Sequence, residues 1–308
     1  MMKNSNMKPL VTFALFVYNQ RDFIRDAIHG AFSQDYENLE IVISDDCSTD
    51  DTFEIIKQEV ANYAGPHKVL INRNEPNLGI SAHFNKVVHE LCHGDYIVVA
   101  AGDDVSLPSR VSLSIEFMEK NPKIQSMTFT SEQVDKELNP LDSKWDINLS
   151  PDEYSVFTLD DYCRFKDLII FSGDSRTYRK SLIDFFPPLK DSKEEDLEFF
   201  IRSLLLGQVG VLRKPMVKRR IYGGNVSKKA KSRSYRNMQY MQLKNDVDFA
   251  FHQNAINELQ HERMLRKIKI VKEFFYDDDD RARHYLLFYV FKGLDMVIKS
   301  FRRIVCGL

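Results

Sequence analysis

The chain has 308 residues, 43 of them Lys or Arg and 45 Asp or Glu, and 43% of it is hydrophobic. That apolar share supports one large domain or two small ones and excludes a disordered chain. The net charge of −2 excludes a dedicated nucleic-acid binder, which draws its affinity from a basic surface. No apolar run reaches the roughly 18–20 residues of a membrane span. The average hides an asymmetry, because residues 211–308 carry a charge balance of +12 and residues 1–210 one of −14. The opening MMKNSNMKPL lacks the apolar stretch of a signal peptide, which predicts a cytoplasmic chain. Cys47, Cys92, Cys163 and Cys306 form no C-x-x-C pair, so they read as reduced thiols rather than a zinc site or disulfide framework.

In chain order, short β-rich runs alternate with helical patterns over the first hundred residues, the signature of βαβ units and a mostly parallel sheet. Residues 11–18 are a continuous apolar run, as in a strand covered on both faces. Residues 23–32 place Phe23, Ile24, Ala27, Ile28 and Ala31 at helical spacing. A second strand is predicted at 39–44 and a second helix at 52–63, with Asp50 and Asp51 at its head. A third strand (69–72), a third helix (80–92) and a fourth strand (96–101) follow, the last ending at Gly102-Asp103-Asp104. Beyond, 108–118 reads as helix, 125–131 as strand and 139–154 as a polar loop containing Trp145. Residues 194–206 read as helix and 207–211 as a turn into another strand. After residue 227 two helices are predicted, 235–276 and 281–305, divided by the acidic turn 277–280.

Asp45-Asp46 and Asp103-Asp104 therefore both fall at the carboxyl ends of predicted parallel strands, the edge where open α/β sheets bind ligands. Carboxylates there are not needed to pack a sheet, although such pairs also cap following helices. Tyr18-Asn19-Gln20-Arg21 occupies the first strand–helix turn with no G-x-G-x-x-G, which argues against a dinucleotide-dependent dehydrogenase.

The segment 11–19, Asp45-Asp46-Cys47-Ser48-Thr49-Asp50, Asn77-Leu78-Gly79, Gly102-Asp103-Asp104 and Glu195-Asp196 occur in the order and spacing of glycosyltransferase family 2, which the chain resembles over roughly residues 9–227. The resemblance implies a GT-A fold: an α/β, Rossmann-like, mixed but mostly parallel sheet flanked by helices. It implies a glycosyltransferase domain at 1–227, with a nucleotide-binding half at about 9–105 and an acceptor half at 106–227. Residues 228–308 would be a basic helical extension. The implied activity is an inverting, metal-dependent transfer of a sugar from a nucleotide-sugar, a UDP-sugar by analogy, to a hydroxyl of a glycan in surface-polysaccharide synthesis. The alternative is a catalytically inactive glycan-binding or assembly subunit that retains the fold.

Carried over residue by residue, the resemblance implies that Phe16, Val17 and Tyr18 line the nucleotide and that Asp46 contacts its base, with Asp45 in support. Arg73 would approach the nucleotide, and Asp103 the donor sugar or ribose. Asp104 would bind Mn2+ or Mg2+, hard cations suited to carboxylate oxygens. Asp196 would be the catalytic base, with Glu195 beside it, although a charge run such as 190–198 is commonly a solvated face. Arg220 to Tyr222 and 225–227 would close over the diphosphate. Family members often carry Asp at the place of Gly102 and His at that of Tyr222, which weakens the acidic motif and a third metal contact. His29, His67, His83, His89 and His93 lack metal-ligand spacing and read as surface residues, with His83 within reach of the donor. The apolar stripe of 287–305, flanked by Lys292, Lys299, Arg302 and Arg303, fits a helix lying on an anionic membrane or packing against protein, including a second copy. The expected partners are thus a nucleotide-sugar, a glycan or lipid-linked glycan acceptor and, through that helix, the inner face of the plasma membrane.

Overall fold

The computed structural model describes residues 8–142, 154–164, 175–190, 195–223 and 233–271. Trp145, the segment 225–227, the acidic turn 277–280 and the amphipathic stripe of 287–305 lie outside the described residues. Among the described residues nine strands form one sheet in the order β3-β2-β1-β4-β8-β6-β9-β5, with β7 pairing to β9. The first four, β1 (Val11–Val17), β2 (Leu39–Asp45), β3 (Lys68–Arg73) and β4 (Tyr96–Ala101), are mutually parallel, as the βαβ pattern requires.

The period-2 alternation of these strands divides the core between two faces. Phe13, Leu15, Ile41, Ile43, Val98 and Ala100 pack with α1 (Ile24–Phe32), α2 (Thr52–Ala61) and α4 (Arg110–Lys120) through Ile28, Ile56 and Met118. Ala14, Val42, Ile97 and Val99 face the opposite layer. There they meet Phe84 of α3 (Ile80–Lys86), Leu182 of α6 (Lys180–Phe185) and Phe199 of α7 (Asp196–Leu206). Strands buried on both faces must be apolar throughout, which is why β1, β2 and β4 read as continuous runs.

Several elements differ from the expectation. The third helix changes at Val87 into a π-helical turn, Val87–Leu91, and stops at extended Cys92. The sheet is mixed, as the resemblance implies: β8 (Thr177–Arg179) runs antiparallel between β4 and β6 (Ile124–Val134), and β5 (Val105–Ser106) pairs antiparallel with β9 (Gln208–Arg220). Neither β8, β7 (Tyr154–Thr158), α5 (Leu159–Cys163) nor α6 is visible as periodicity. The long helix predicted from residue 235 is two, α8 (Arg233–His252) and α9 (Glu258–Val271). Asn254 takes φ 57°, a left-handed conformation that Asn tolerates and that ends a helix. Asn257 and Gln260 then exchange backbone-to-side-chain hydrogen bonds at 2.9 Å, a reciprocal cap that starts α9. Leu243, Val247, Ala250, Met264 and Ile268 of these helices belong to the same apolar core as α7, so the boundary expected at residue 227 does not separate two cores.

Candidate active site

Because β1, β2, β3 and β4 run parallel, their carboxyl ends line one edge of the sheet. The turns leaving that edge are tied together by backbone: Asp46 N donates to Val17 O, and Gly102 N to Phe16 O, each at 2.9 Å. Asn19, at φ 52°, accepts from Thr49 N at 2.8 Å through Oδ1, joining the turn after β1 to the turn after β2.

Asp45 is fully buried; it accepts from Ser48 N at 2.9 Å and from the Ser48 hydroxyl, and Arg73 Nε lies 3.7 Å from it. Arg73 also donates to Ser48 O at 3.0 Å, so this pair shapes the Cys47–Thr49 turn from beneath. Asp46 has a different task. Its Oδ1 accepts from Asn74 Nδ2 and Leu78 N, and its Oδ2 from Gly79 N, all at 2.9 Å. Gly79 sits at φ 77°, where a side chain would be strained, at the head of α3. Asp46 therefore holds the Asn77-Leu78-Gly79 turn, and Oδ2 keeps a lone pair for a further donor.

The expectation for residues 16–18 needs correction. Val17 points into the core and is 2% exposed, so its side chain faces away from any ligand at this edge. Phe16 is partly buried against Phe84 and against His83, with ring centroids 5.5 and 5.2 Å apart. Tyr18, 48% exposed, offers the open aromatic face. His83 and His67 are also corrected, since both are buried rather than surface residues. His83 Nε2 lies 2.7 Å from Ser44 Oγ beneath the same edge. Burial pulls its pKa below the ordinary histidine value despite the nearby Asp46 and Asp45 carboxylates. A histidine at i+4 from Gly79 on a short helix facing the sheet was the available signal.

At the end of β4, the Gly102-Asp103-Asp104 turn is gripped from β9. Arg220 N donates to Asp104 Oδ1 at 2.9 Å, and Arg220 Nη1 to Asp103 O at 2.8 Å. The same guanidinium donates to Lys136 O at 3.1 Å and to Asp26 of α1, and lies 4.9 Å from the Phe23 ring centre. Arg220 is 1% exposed, so its guanidinium braces the turn instead of facing a diphosphate, which corrects the donor-binding role expected of it. Tyr222 packs on Phe23 and donates its hydroxyl to Asp103 Oδ2 at 2.9 Å. Burial and that carboxylate push the Tyr222 phenol upwards, keeping it a neutral donor. Burial raises Asp103, opposed by the Tyr222 hydrogen bond and the Arg220 charge. A Cβ on Gly102 would lie 2.3 Å from Gln20 Oε1, so Gln20 occupies the space an acidic side chain would take there.

Among the described residues no group of three or more His, Cys, Asp and Glu forms a ready metal site. Asp103 and Asp104 still fit a hard divalent cation of the kind that is held by one or two carboxylates together with substrate phosphates. Tyr222, a neutral phenol bound to Asp103, is not a third anionic ligand.

Glu195 and Asp196 stand at the head of α7, both partly buried. Burial, then the Asp196 carboxylate, push Glu195 up to about 8, with Glu198 adding and Arg176 opposing. Arg176 places this pair relative to the sheet: its carbonyl accepts from Val99 N at 2.9 Å in the carboxyl half of β4. Arg176 is 2% exposed and carries no signal in the sequence, where it sits in the polar stretch 172–181 with no motif around it.

The model of the family described as glycosyl transferase family 2 matches residues 12–186, more than half of the chain. The chain belongs to glycosyl transferase family 2. EpsE of Bacillus subtilis, described as a glycosyltransferase, is 35% identical over 122 residues, 39% of this chain and 42% of that protein. WfaP of Escherichia coli is 34% identical over 110 residues, 36% of this chain and 41% of WfaP. WfaP is named a UDP-Glc:α-D-GlcNAc-diphosphoundecaprenol β-1,3-glucosyltransferase. These alignments thus span about two-fifths of each relative's length. The crystal structure of S. aureus TarS 1–349 in complex with UDP-GlcNAc superposes with a TM-score of 0.65 at 18% identity, covering 86% of this chain and 73% of that one. That similarity establishes the GT-A fold expected from the sequence.

Proposed function

We propose that this family member is an inverting glycosyltransferase that moves a sugar from a UDP-sugar to a hydroxyl of a lipid-linked glycan in surface-polysaccharide synthesis. The observation that carries the reading is the meeting, at one sheet edge, of three turns suited to three parts of a nucleotide-sugar. Asp46, with an acceptor lone pair on Oδ2, suits the imide N–H of a uracil, and Tyr18 offers a face for the ring. Asp103 and Asp104 would hold Mn2+ or Mg2+, which when bound neutralises the diphosphate as it leaves. Arg220 holds Asp104 and the backbone of Asp103 in place from behind. WfaP, which by name uses UDP-Glc and a diphosphoundecaprenol-linked acceptor, supports the donor and acceptor classes.

On the acceptor side, burial and the Asp196 carboxylate push Glu195 up to about 8, and this reading assigns the working carboxylate of the pair to Asp196. Asp196 then accepts the proton of the acceptor hydroxyl as its oxygen attacks the anomeric carbon opposite the departing diphosphate. One displacement inverts the anomeric configuration. Placement of the activity at a membrane belongs to this reading too, with the basic residues 228–308 as the segment that would attach to its surface; among the described residues no helix is long and apolar enough to cross one.

The test is turnover of a panel of UDP- and GDP-sugars with undecaprenyl-diphosphate-linked acceptors and Mn2+, with the product linkage read by NMR. A β-linked product from an α-linked UDP-sugar is expected. A product that keeps the donor's configuration contradicts the inverting mechanism, and donor binding without turnover across the panel favours the non-catalytic subunit.

A further inference from the structure

The chain on both sides of the acid pair at the head of α7 is held by one helix, α8, that lies past the expected end of the transferase domain. Arg202, six residues after Asp196, has no exposed side-chain surface and donates Nε and Nη2 to the two carboxylate oxygens of Asp246, each at 2.8 Å. Its guanidinium lies 4.9 and 5.0 Å from the ring centres of Phe186 and Phe199. One turn before Asp246, Gln242 donates Nε2 to Asp246 Oδ1 at 2.9 Å. The Oε1 of Gln242 accepts from the backbone N–H of Lys190, also at 2.9 Å. Lys190 lies five residues before Glu195. Gln242 and Asp246 are thus one bonded unit that holds the chain upstream of the acid pair at Lys190 and downstream at Arg202.

Packing alone does not require this arrangement. Leu243 and Val247 of α8 already join the apolar core shared with α7. A buried ion pair commonly gains little stability over apolar side chains of similar volume. A bidentate arginine–carboxylate contact does fix distance and rotation together, which leucine packing does not. Through Phe199 the brace also reaches Tyr178 of β8 and Phe84 of α3, with ring centroids 5.2 and 5.0 Å apart.

We infer that Gln242 and Asp246 are positioning residues for the acceptor-side carboxylates, so that α8 is a working part of the transferase fold. The inference rests on the reading of Asp196 as the base. Gln242→Met keeps length and apolar packing while removing both hydrogen bonds. In the full chain it is expected to lower kcat, counted per donor-binding site by calorimetric stoichiometry, by about 10-fold or more, since a misplacement of about 1 Å can cost about 10²-fold. The donor KM stays unchanged, because neither Gln242 nor Asp246 bonds to a turn that carries a proposed donor contact. A wild-type kcat per site, with or without fewer sites, overturns the inference.

Hydrogen exchange on the unmutated chain gives a measurement independent of any variant's folding. The Lys190 amide is expected to be protected by at least about 10²-fold, as for a buried backbone hydrogen bond; exchange at the unprotected rate contradicts the inference. Asp196→Asn assayed in parallel separates the two levels. Transfer that survives in Asp196→Asn removes the underlying reading, and transfer lost there but intact per site in Gln242→Met removes this inference alone.

Discussion

The two sides of the candidate site are built on different principles. The proposed donor side is assembled from turns that each follow a parallel strand; those after β1 and β2 are held from within the segment β1 to α3, whereas Arg220 of β9 grips the turn after β4. Asp45 holds Ser48, Asp50 accepts from Thr52 N at 3.0 Å, and Asp46 reaches only as far as the turn before α3. The acceptor side has no such local logic. Its carboxylates sit at the head of α7, with Arg176 ahead of β8 acting on Glu195, and α8 bonds to the chain on either side of them at Lys190 and Arg202. A strand-end turn can hold its geometry with a few local hydrogen bonds; a helix head on the far side of the sheet needs neighbours brought from elsewhere.

This contrast predicts a gradient of effects. The largest belongs to Asp104→Ala, which removes a carboxylate proposed to face the diphosphate. Mn2+-dependent transfer should fall by about 10³-fold, comparable to losing a main electrostatic contact in a transition state. Unchanged metal activation in a titration would take Asp104 out of that seat. Next is Asp46→Ala, which removes the acceptor of the Leu78 N–H and of the buried Asn74 amide, while Gly79 N keeps Asn77 Oδ1 at 3.1 Å. Chemical denaturation should show a loss of about 3 kcal/mol, since unsatisfied buried donors cost about 1–3 kcal/mol each and water re-enters part of the site. A loss under about 1 kcal/mol would mean that the turn before α3 does not depend on it.

On the acceptor side the effect is smaller and lies in pH dependence. Glu195 is raised from 4.5 to about 8, so the folded state binds its proton more tightly than the unfolded chain. Its contribution to stability is fully present below about 4.5 and is lost as pH rises through about 8. Glu195→Gln should therefore flatten the fall in melting temperature across that window and leave the variant relatively more stable at the alkaline end. A wild-type slope would show that Glu195 is not held protonated. The smallest effect is expected for Gly102→Ala, where the end of Gln20 must move and Ile24 Cδ1, 3.2 Å away, must give slightly: about 1 kcal/mol or less, with donor affinity nearly preserved. A large loss of donor binding would instead show that the Gln20 contact shapes the site.

The same contrast explains what the sequence discloses. Strands buried on both faces, and acidic pairs at their ends, are readable because pattern and placement coincide in one short window. The burial of Arg220 is not readable, since a basic residue after a strand looks the same whether it faces a diphosphate or braces Asp103 and Asp104. Nor is β8: three residues carry no period, and Arg179 secures it with tertiary hydrogen bonds to Ile124 O and Met118 O at 2.7 Å. Two helix starts were legible but unread. Thr158 and Asp161 form a capping box at the head of α5, and Asn257 with Gln260 marks where the predicted long helix is divided.

The central claim, that one edge binds donor while the head of α7 supplies the base, is tested most directly by Asp196→Asn assayed for both functions. The account predicts that UDP-sugar binding by calorimetry stays at the wild-type affinity while transfer to a lipid-linked acceptor falls to background. Near-normal turnover, or loss of donor binding together with transfer, would contradict it.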